Sequence, residues 1–182
     1  HDSATNFQSI GKLSRDNNAV VVIRSFSKDF SMSGFRLGFI YSSCENIDKL
    51  ARMHTAMALF PSTFSQALGK TMYQNKEKIT ADYSNRYARM RRLVCSRLDK
   101  VSEFFQYVKP EGGFFVFPRY SLEIDSVKFF MLLLRAGVIV RPGAGFGLGG
   151  ENHVRISFVS NDQLINNAFD RIEKFIKNYE KS

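Results

Sequence analysis

Residues 19–38 have the sequence AVVVIRSFSKDFSMSGFRLG, and they decide the fold because an apolar run ends here in a turn that carries a lysine. The β-branched run from Ala19 to Ile23 predicts a strand buried on both faces, as in a parallel sheet that helices cover. Ligands of open α/β sheets bind outside the carboxyl ends of the strands. Lys28 therefore follows the strand at a place where a ligand is expected.

The residues around Lys28 favour a reactive amine over an ordinary solvated charge. An amine that is partly desolvated and near other cations can attack a carbonyl carbon. Ser25 and Ser27 add hydroxyl groups to the same turn, and the guanidinium of Arg36 can bind a phosphate through two hydrogen bonds. This spacing predicts that the Lys28 amine and the Arg36 guanidinium share one pocket.

On the carboxyl-terminal side of this turn, the sequence predicts one strand and then several helices. Residues 36–41 predict a second strand, and residues 45–74 predict two helices that are interrupted at Pro61. Residues 76–101 place apolar side chains three or four apart, which indicates one long amphipathic helix. A helix of this length can connect two domains.

The remaining residues predict a mixture of short strands and helices. Residues 114–117 and 138–141 are apolar runs typical of strands, and residues 125–136 form a helical pattern closed by a glycine. Residues 153–159 alternate apolar and polar side chains, as a half-buried strand does. The predicted fold class is α/β for the first third of the chain and α+β for the remainder, with domains at 1–75 and 76–182.

Composition indicates whether the protein has a core, where in the cell it is located and whether it binds a metal. At 44% hydrophobic residues the chain can bury a core, yet no run reaches the roughly 18 apolar residues that a membrane span needs. Cys44 and Cys95 lack CxxC spacing, which indicates reduced thiols and a cytoplasmic protein. The three histidines are scattered, so we expect no metal site.

The formal charge of +9 is compatible with an anionic partner. Much of this charge belongs to one predicted helix and comes from Arg86, Arg89, Arg91, Arg92, Arg97 and Lys100. Such a run is typical of a solvated helix face. Because the sequence has no zinc-finger, RRM, KH or helix-turn-helix signature, we expect no nucleic-acid partner. We expect no membrane partner because no apolar run is long enough to span a bilayer.

Two further motifs have ordinary interpretations. The segment Gly145–Gly150 formally contains GxGxxG, but a predicted strand follows it, whereas dinucleotide binding requires a helix there. We interpret it as a flexible loop near the substrate entrance. The aromatic run at residues 114–117 is interpreted as a core strand.

The turn resembles the cofactor-lysine motif of the class I and II aminotransferases, which are pyridoxal-phosphate enzymes of fold type I. The positions that match with the family's spacing are Ser25, Ser27, Lys28, Ser31, Gly34, Arg36, Leu37 and Gly38. The resemblance implies pyridoxal 5'-phosphate as the cofactor, bonded covalently to Lys28, with Ser25 and Arg36 on its phosphate. Ser27 is added to the predicted cofactor-binding residues because its hydroxyl belongs to the same turn.

A second segment is similar to the same family's carboxyl-terminal pattern. The proline-glycine loop after Arg141 precedes the strand that contains Arg155, and in the family the corresponding arginine binds the substrate α-carboxylate. The resemblance therefore implies this role for Arg155. The residue lies on the polar face of the alternating strand, and its planar guanidinium suits a carboxylate.

The resemblance implies the end of a large cofactor domain with a mainly parallel sheet, followed by a small α+β domain. The implied reaction moves an amino group between an amino acid and a 2-keto acid, in a homodimer when the protein is full length. Family members are roughly twice this length. We therefore expect a carboxyl-terminal half that lacks the rest of the cofactor site and binds the cofactor weakly alone.

Other functions stay open at this point. The same motif serves synthases that form cyclopropane carboxylates, which the pair Tyr41-Ser42 also resembles, and carbon–sulfur lyases. A non-catalytic remnant that acts as a binding or dimerisation module is the alternative outside enzymes. Cofactor titration distinguishes that module from an enzyme, because the module forms no covalent adduct at Lys28.

Overall fold

The computed structural model describes residues 9–14 and 17–179, and the chain divides into two compact units at a point within one long helix. One unit ends at Tyr83 and the other begins at Ser84. The domain boundary predicted between residues 75 and 76 lies at the first residue of that helix and stays a prediction. The described helices are α1 (Phe26–Asp29), α2 (Cys44–Ala58), α3 (Thr63–Gln74), α4 (Lys76–Asp99), α5 (Ser126–Arg135) and α6 (Asp162–Tyr179).

The first unit contains one strand pair and two full helices. Strands β1 (Val22–Ser25) and β2 (Gly38–Tyr41) run antiparallel, with Val22 opposite Tyr41 and Ser25 opposite Gly38. Helices α2 and α3 are separated by Pro61, as predicted, because proline removes a backbone donor and disfavours helix at the residue before it.

The predicted burial of the apolar run around β1 is wrong for this chain. Ile23 is 74% exposed, and most residues of β1 and β2 are exposed as well. A strand is buried on both faces only when helices or further strands cover it. The described residues supply no such layer over β1, and all of their strand pairs are antiparallel, so they do not form the predicted parallel sheet.

The second unit packs helices α5 and α6 and the end of α4 around short antiparallel strands. Its strands are β3 (Phe105–Gln106), β4 (Phe115–Val116), β5 (Arg119–Tyr120), β6 (Arg141–Pro142) and β7 (Val154–Ser157). They form a two-stranded sheet, β3–β5, and a three-stranded sheet in the order β4–β7–β6. The predicted alternation along β7 is confirmed, since Val154 and Phe158 are fully buried whereas Ser157 is exposed.

Phe129 lies at the centre of the core of the second unit. Its ring is fully buried and stacks on Tyr120 with 4.0 Å between the ring centroids. Asp125 caps the helix that carries Phe129 by accepting a hydrogen bond from the Lys128 amide at 2.8 Å. Gly137 follows that helix with φ +79°, the left-handed conformation that the sequence predicts there.

The basic face of α4 is only partly solvated, which corrects the interpretation of its charge. Arg91 and Arg97 are buried, with 5% and 9% of their surfaces exposed. Arg97 donates hydrogen bonds to Asp170 at 2.5 Å and to Glu173 at 2.7 Å on α6. Part of the positive charge therefore links two helices of the core.

No helix among the described residues is both long enough and apolar enough to cross a bilayer.

The stability of the second unit should fall in alkaline solution through Tyr120. Burial, and to a smaller extent the nearby carboxylates of Glu151 and Asp125, raise the pKa of this phenol from 10.0 to about 12. The folded state favours the neutral phenol, so this stabilisation is complete below pH 10 and is lost as the pH rises towards 12. Unfolding in urea at a series of pH values measures the effect.

The variant Tyr120→Phe should lose less unfolding free energy over this pH range than the parent chain. The matched control is Tyr179→Phe, because Tyr179 is 40% exposed. Identical pH dependence of the unfolding free energy in the parent chain and in Tyr120→Phe would contradict the assignment of the alkaline destabilisation to Tyr120.

Candidate active site

The turn that carries Lys28 begins with a hydroxyl that caps a single helical turn. The Ser25 hydroxyl accepts a hydrogen bond from the Ser27 amide at 3.1 Å, and Ser25 itself has extended backbone angles. This is the N-cap arrangement that serine favours. A hydroxyl that accepts one hydrogen bond can still donate its own proton to a ligand.

Lys28 lies within this helical turn between two buried rings. Phe26 and Phe30 are 7% and 6% exposed, whereas the Lys28 side chain is exposed. The adjacent carboxylate of Asp29 forms an ion pair with Arg24 at 2.5 Å. The desolvation predicted for the amine is therefore absent from the chain as the structure describes it.

Arg36 ends the turn in an unusual backbone conformation. Its φ of 51° and ψ of 44° are left-handed, and its guanidinium donates a hydrogen bond to the Ser33 carbonyl at 2.9 Å. Non-glycine residues adopt such sparsely populated conformations at a cost of about 1–3 kcal/mol, and they cluster at functional sites. No pattern in the sequence indicated this strain at Arg36.

Backbone hydrogen bonds close the turn into a loop. The Phe26 amide donates to the Leu37 carbonyl at 3.0 Å, next to the register pair of Ser25 and Gly38. The amide of Met32 donates a hydrogen bond to the Phe26 carbonyl at 3.2 Å. The structure thus brings the four predicted cofactor-binding residues onto one closed turn; they are Ser25, Ser27, Lys28 and Arg36.

A cluster of apolar side chains, called the apolar floor here, packs within this turn and against helices α3 and α4. The buried residues of the floor are Phe26, Phe30, Met32 and Leu37, and the side chains packed against them are Leu68, Met72 and Ile79. Helix α3 lies so close to the turn that a Cβ atom on Gly69 would be 2.3 Å from the Leu37 side chain. The hydroxyl of Ser65 also donates to the Phe35 carbonyl at 2.8 Å.

Arg155 belongs to the second unit, where two aromatic rings flank it. Its guanidinium carbon lies 4.2 Å from the centroid of Phe115 and 4.6 Å from that of Phe146. Guanidinium faces are weakly hydrated and stack well on aromatic rings. The interpretation of Phe115 as a core residue is therefore incomplete. The alternation of Phe115 and Phe117 around the buried Val116 is the sequence signal that could have revealed an aromatic face.

The loop that carries Phe146 is fixed by its backbone. Gly143 and Gly150 approach so closely that a Cβ atom on Gly143 would lie 2.0 Å from the Gly150 carbonyl oxygen. The amide of Ala144 donates to the buried hydroxyl of Ser126 at 3.0 Å. Strand β7 follows the loop, so the GxGxxG match lacks the helix that dinucleotide binding requires.

The donor set of the first unit fits a phosphorylated aldehyde. A primary amine such as Lys28 bonds covalently to a carbonyl carbon. The hydroxyls of Ser25 and Ser27 and the guanidinium of Arg36 are suitable donors for phosphate oxygens. Among the described residues, no group of three or more His, Cys, Asp or Glu side chains is arranged to hold a metal ion.

Comparison with known proteins gives one consistent family. The sequence profile described as "Aminotransferase class I and II" matches residues 2–172. The aromatic-amino-acid aminotransferase 2 of Thermococcus litoralis is 34% identical over 97% of this chain and 46% of its own length. An aspartate aminotransferase of Pyrococcus abyssi is 34% identical over 93% of this chain and 44% of its own. The chain thus spans about half the length of these relatives.

Solved structures agree with the sequence relatives and confirm the predicted fold class. The aromatic aminotransferase from Pyrococcus horikoshii OT3 superposes with a TM-score of 0.79 at 34% identity, over 88% of this chain and 43% of that protein. A mutant of the aspartate aminotransferase from Thermus thermophilus superposes with a TM-score of 0.78 at 26% identity, over 85% of this chain and 43% of that protein.

The close approach at Gly143 generates a prediction for the loop. Gly143→Ala should lower the free energy of unfolding by about 1–3 kcal/mol, because a methyl group forced against backbone must displace the loop. The matched control is Gly145→Ala, since a Cβ atom there meets nothing within 4 Å. Urea unfolding measures both variants, and equal stabilities would contradict the described loop.

Proposed function

The chain belongs to the class I and II aminotransferase family, and from that membership we propose that it is the carboxyl-terminal half of a pyridoxal-phosphate-dependent aminotransferase. The proposed reaction transfers an amino group between an amino acid and a 2-keto acid. The observation that carries the proposal is the closed turn, which holds an amine, two hydroxyls and a guanidinium in the spacing of the family motif. The aminotransferase names of the relatives support the reaction type.

Each predicted residue has one proposed role. Lys28 holds the cofactor covalently, while Ser25, Ser27 and Arg36 bind its phosphate. When bound, pyridoxal phosphate supplies an electron sink for negative charge at the substrate α-carbon. The Lys28 amine moves the proton at that carbon, and Arg155 binds the substrate α-carboxylate.

The exposed apolar side chains of the first unit support the proposal that this chain is part of a longer enzyme. Met57, Phe60 and Phe64 are 81%, 75% and 86% exposed. Exposed apolar surface of this kind marks an interaction site. We expect the remainder of a full-length enzyme, and a second subunit of a homodimer, to cover it. The thiols of Cys44 and Cys95 are free, which suits a cytoplasmic protein.

Covalent trapping tests the role of Lys28 directly. The 182-residue chain is incubated with pyridoxal 5'-phosphate and reduced with borohydride, and the modified lysine is identified by peptide mass spectrometry. We expect Lys28 to be modified at lower cofactor concentrations than any other lysine. Lys28→Ala should lose this adduct, because no other amine lies in the turn.

The matched control is Lys70→Ala, which removes an exposed lysine from α3. This variant should retain the Lys28 adduct. Modification spread evenly over the lysines, without preference for Lys28, would contradict the proposal and would favour a non-catalytic module.

A full-length protein separates transamination from the other reactions of this fold. With an amino acid it should release a 2-keto acid, and it should then transfer the retained amino group to a second 2-keto acid. Release of ammonia or of a cyclopropane product would contradict an aminotransferase, although it would leave the role of Lys28 in cofactor binding intact.

A further inference from the structure

The loop of residues 143–150, called the Phe146 loop here, has little in its own sequence to hold Phe146 in place. Gly145 and Gly147 flank Phe146, and a Cβ atom added at either glycine would meet nothing within 4 Å. Glycine restricts the backbone less than any other residue. Yet the Phe146 ring lies 4.6 Å from the guanidinium carbon of Arg155. This contact therefore depends on what anchors the ends of the loop.

Both ends of the Phe146 loop are anchored to one buried residue, Ser126, at the start of α5. On the amino-terminal side, the Ala144 amide donates a hydrogen bond to the Ser126 hydroxyl at 3.0 Å. On the carboxyl-terminal side, the Ser126 amide donates to the carboxylate of Glu151 at 3.0 Å. Ser126 is 0% exposed, so the loss of either partner would leave a buried polar group that water does not reach.

The Glu151 carboxylate also acts as a cap on α5. The first amides of a helix lack partners within the helix, and a negative charge there is favourable. Asp125 caps the same helix, since it accepts a hydrogen bond from the Lys128 amide at 2.8 Å. Of these two carboxylates, Glu151 is the one that directly follows the Phe146 loop. The two residues therefore allow a role in capping to be separated from a role in the loop.

The two rings that contact Arg155 are held in different ways. Phe115 lies in β4, which pairs with the strand of Arg155 and places Phe115 opposite Ser157. The sheet therefore fixes Phe115. Phe146 lies outside the described strands, and its ring contacts Phe117 edge to face with 5.7 Å between the centroids. The position of Phe146 against Arg155 thus follows from the loop and its anchors.

We infer that Ser126 and Glu151 are positioning residues that hold Phe146 against the guanidinium of Arg155. A ring on the face of a guanidinium restricts its reorientation and leaves the N–H groups, which lie in the plane, available to a ligand. The inference rests on the proposed function, in which Arg155 binds the α-carboxylate, and it names the residues that orient Arg155 before a substrate binds. Groups that are already oriented lose less entropy on binding.

Ring-current shifts report the contact between Phe146 and Arg155 directly. The 182-residue chain is labelled with ¹³C and ¹⁵N in its arginines and studied by NMR without cofactor or substrate. The side-chain signals of Arg155 are assigned by their loss in Arg155→Gln. Phe146→Leu removes the ring, so the difference between this variant and the parent chain measures the contribution of Phe146 to the Arg155 chemical shifts. We expect the Arg155 protons to lie upfield in the parent chain.

Four variants of the anchors distinguish positioning from helix capping. Glu151→Ala should lose most of the Phe146 contribution, because the loop loses one anchor. Glu151→Gln should retain it, since the amide oxygen can still accept from the Ser126 N–H. Ser126→Ala should also lose most of it, and this variant tests the inference even if Glu151→Ala does not fold. The matched control Asp125→Ala removes the other cap of α5 and should keep the full contribution, although it destabilises the helix.

The inference is overturned if Glu151→Ala and Ser126→Ala keep the Phe146 contribution while urea unfolding shows that they are less stable, because both residues would then be structural only. Equal loss in Asp125→Ala or in Glu151→Gln, or identical Arg155 signals in the parent chain and in Phe146→Leu, would also overturn it. Failure of the proposed function is a separate result. The Lys28 adduct is measured in the other unit, and its absence would leave the Arg155 signals unchanged.

Discussion

The closure of the Ser25–Gly38 turn over its apolar floor is the constraint on which the candidate site depends. The hydrogen bond from the Phe26 amide to the Leu37 carbonyl joins the ends of the turn, and side chains on either side of Lys28 anchor it. Full burial of one such side chain contributes about 1.5–3 kcal/mol. That contribution offsets the left-handed conformation of Arg36. Without the floor, the amine and the guanidinium would belong to an unconstrained loop.

Periodicity predicted most elements of this chain because it depends on local side-chain patterns. The strand predicted over residues 138–141 is wrong for residues 138–140, since the strand begins at Arg141. The long helix from Lys76, the interruption at Pro61 and the alternation along β7 follow from the spacing of apolar residues or from proline. The family assignment is confirmed by the matches to relatives, and it came from the turn and from the carboxyl-terminal arginine. These features share one property: each is encoded within a short stretch of sequence.

Burial and long-range contacts could not be predicted in the same way. The exposure of Ile23 depends on layers that the described residues do not supply, and the burial of Arg97 depends on acidic residues of α6 far along the chain. The ring of Phe146 contacts Arg155 only because two glycines fold the intervening loop tightly. The interpretation of the basic residues of α4 as a solvated face was therefore partly wrong. The aromatic rings that stack on Arg155 were not predicted.

The phosphate preference of covalent attachment at Lys28 tests most directly whether Lys28 and Arg36 act on one ligand. The equilibrium constants for pyridoxal 5'-phosphate and for pyridoxal, which lacks the phosphate, are compared in the parent chain, in Arg36→Ala and in the control Arg52→Ala. We predict that the parent and the control favour the phosphate ester by about tenfold or more, and that Arg36→Ala abolishes this preference. Equal constants for the two aldehydes in the parent chain, or a preference that persists without Arg36, would show that the amine and the guanidinium do not serve one site.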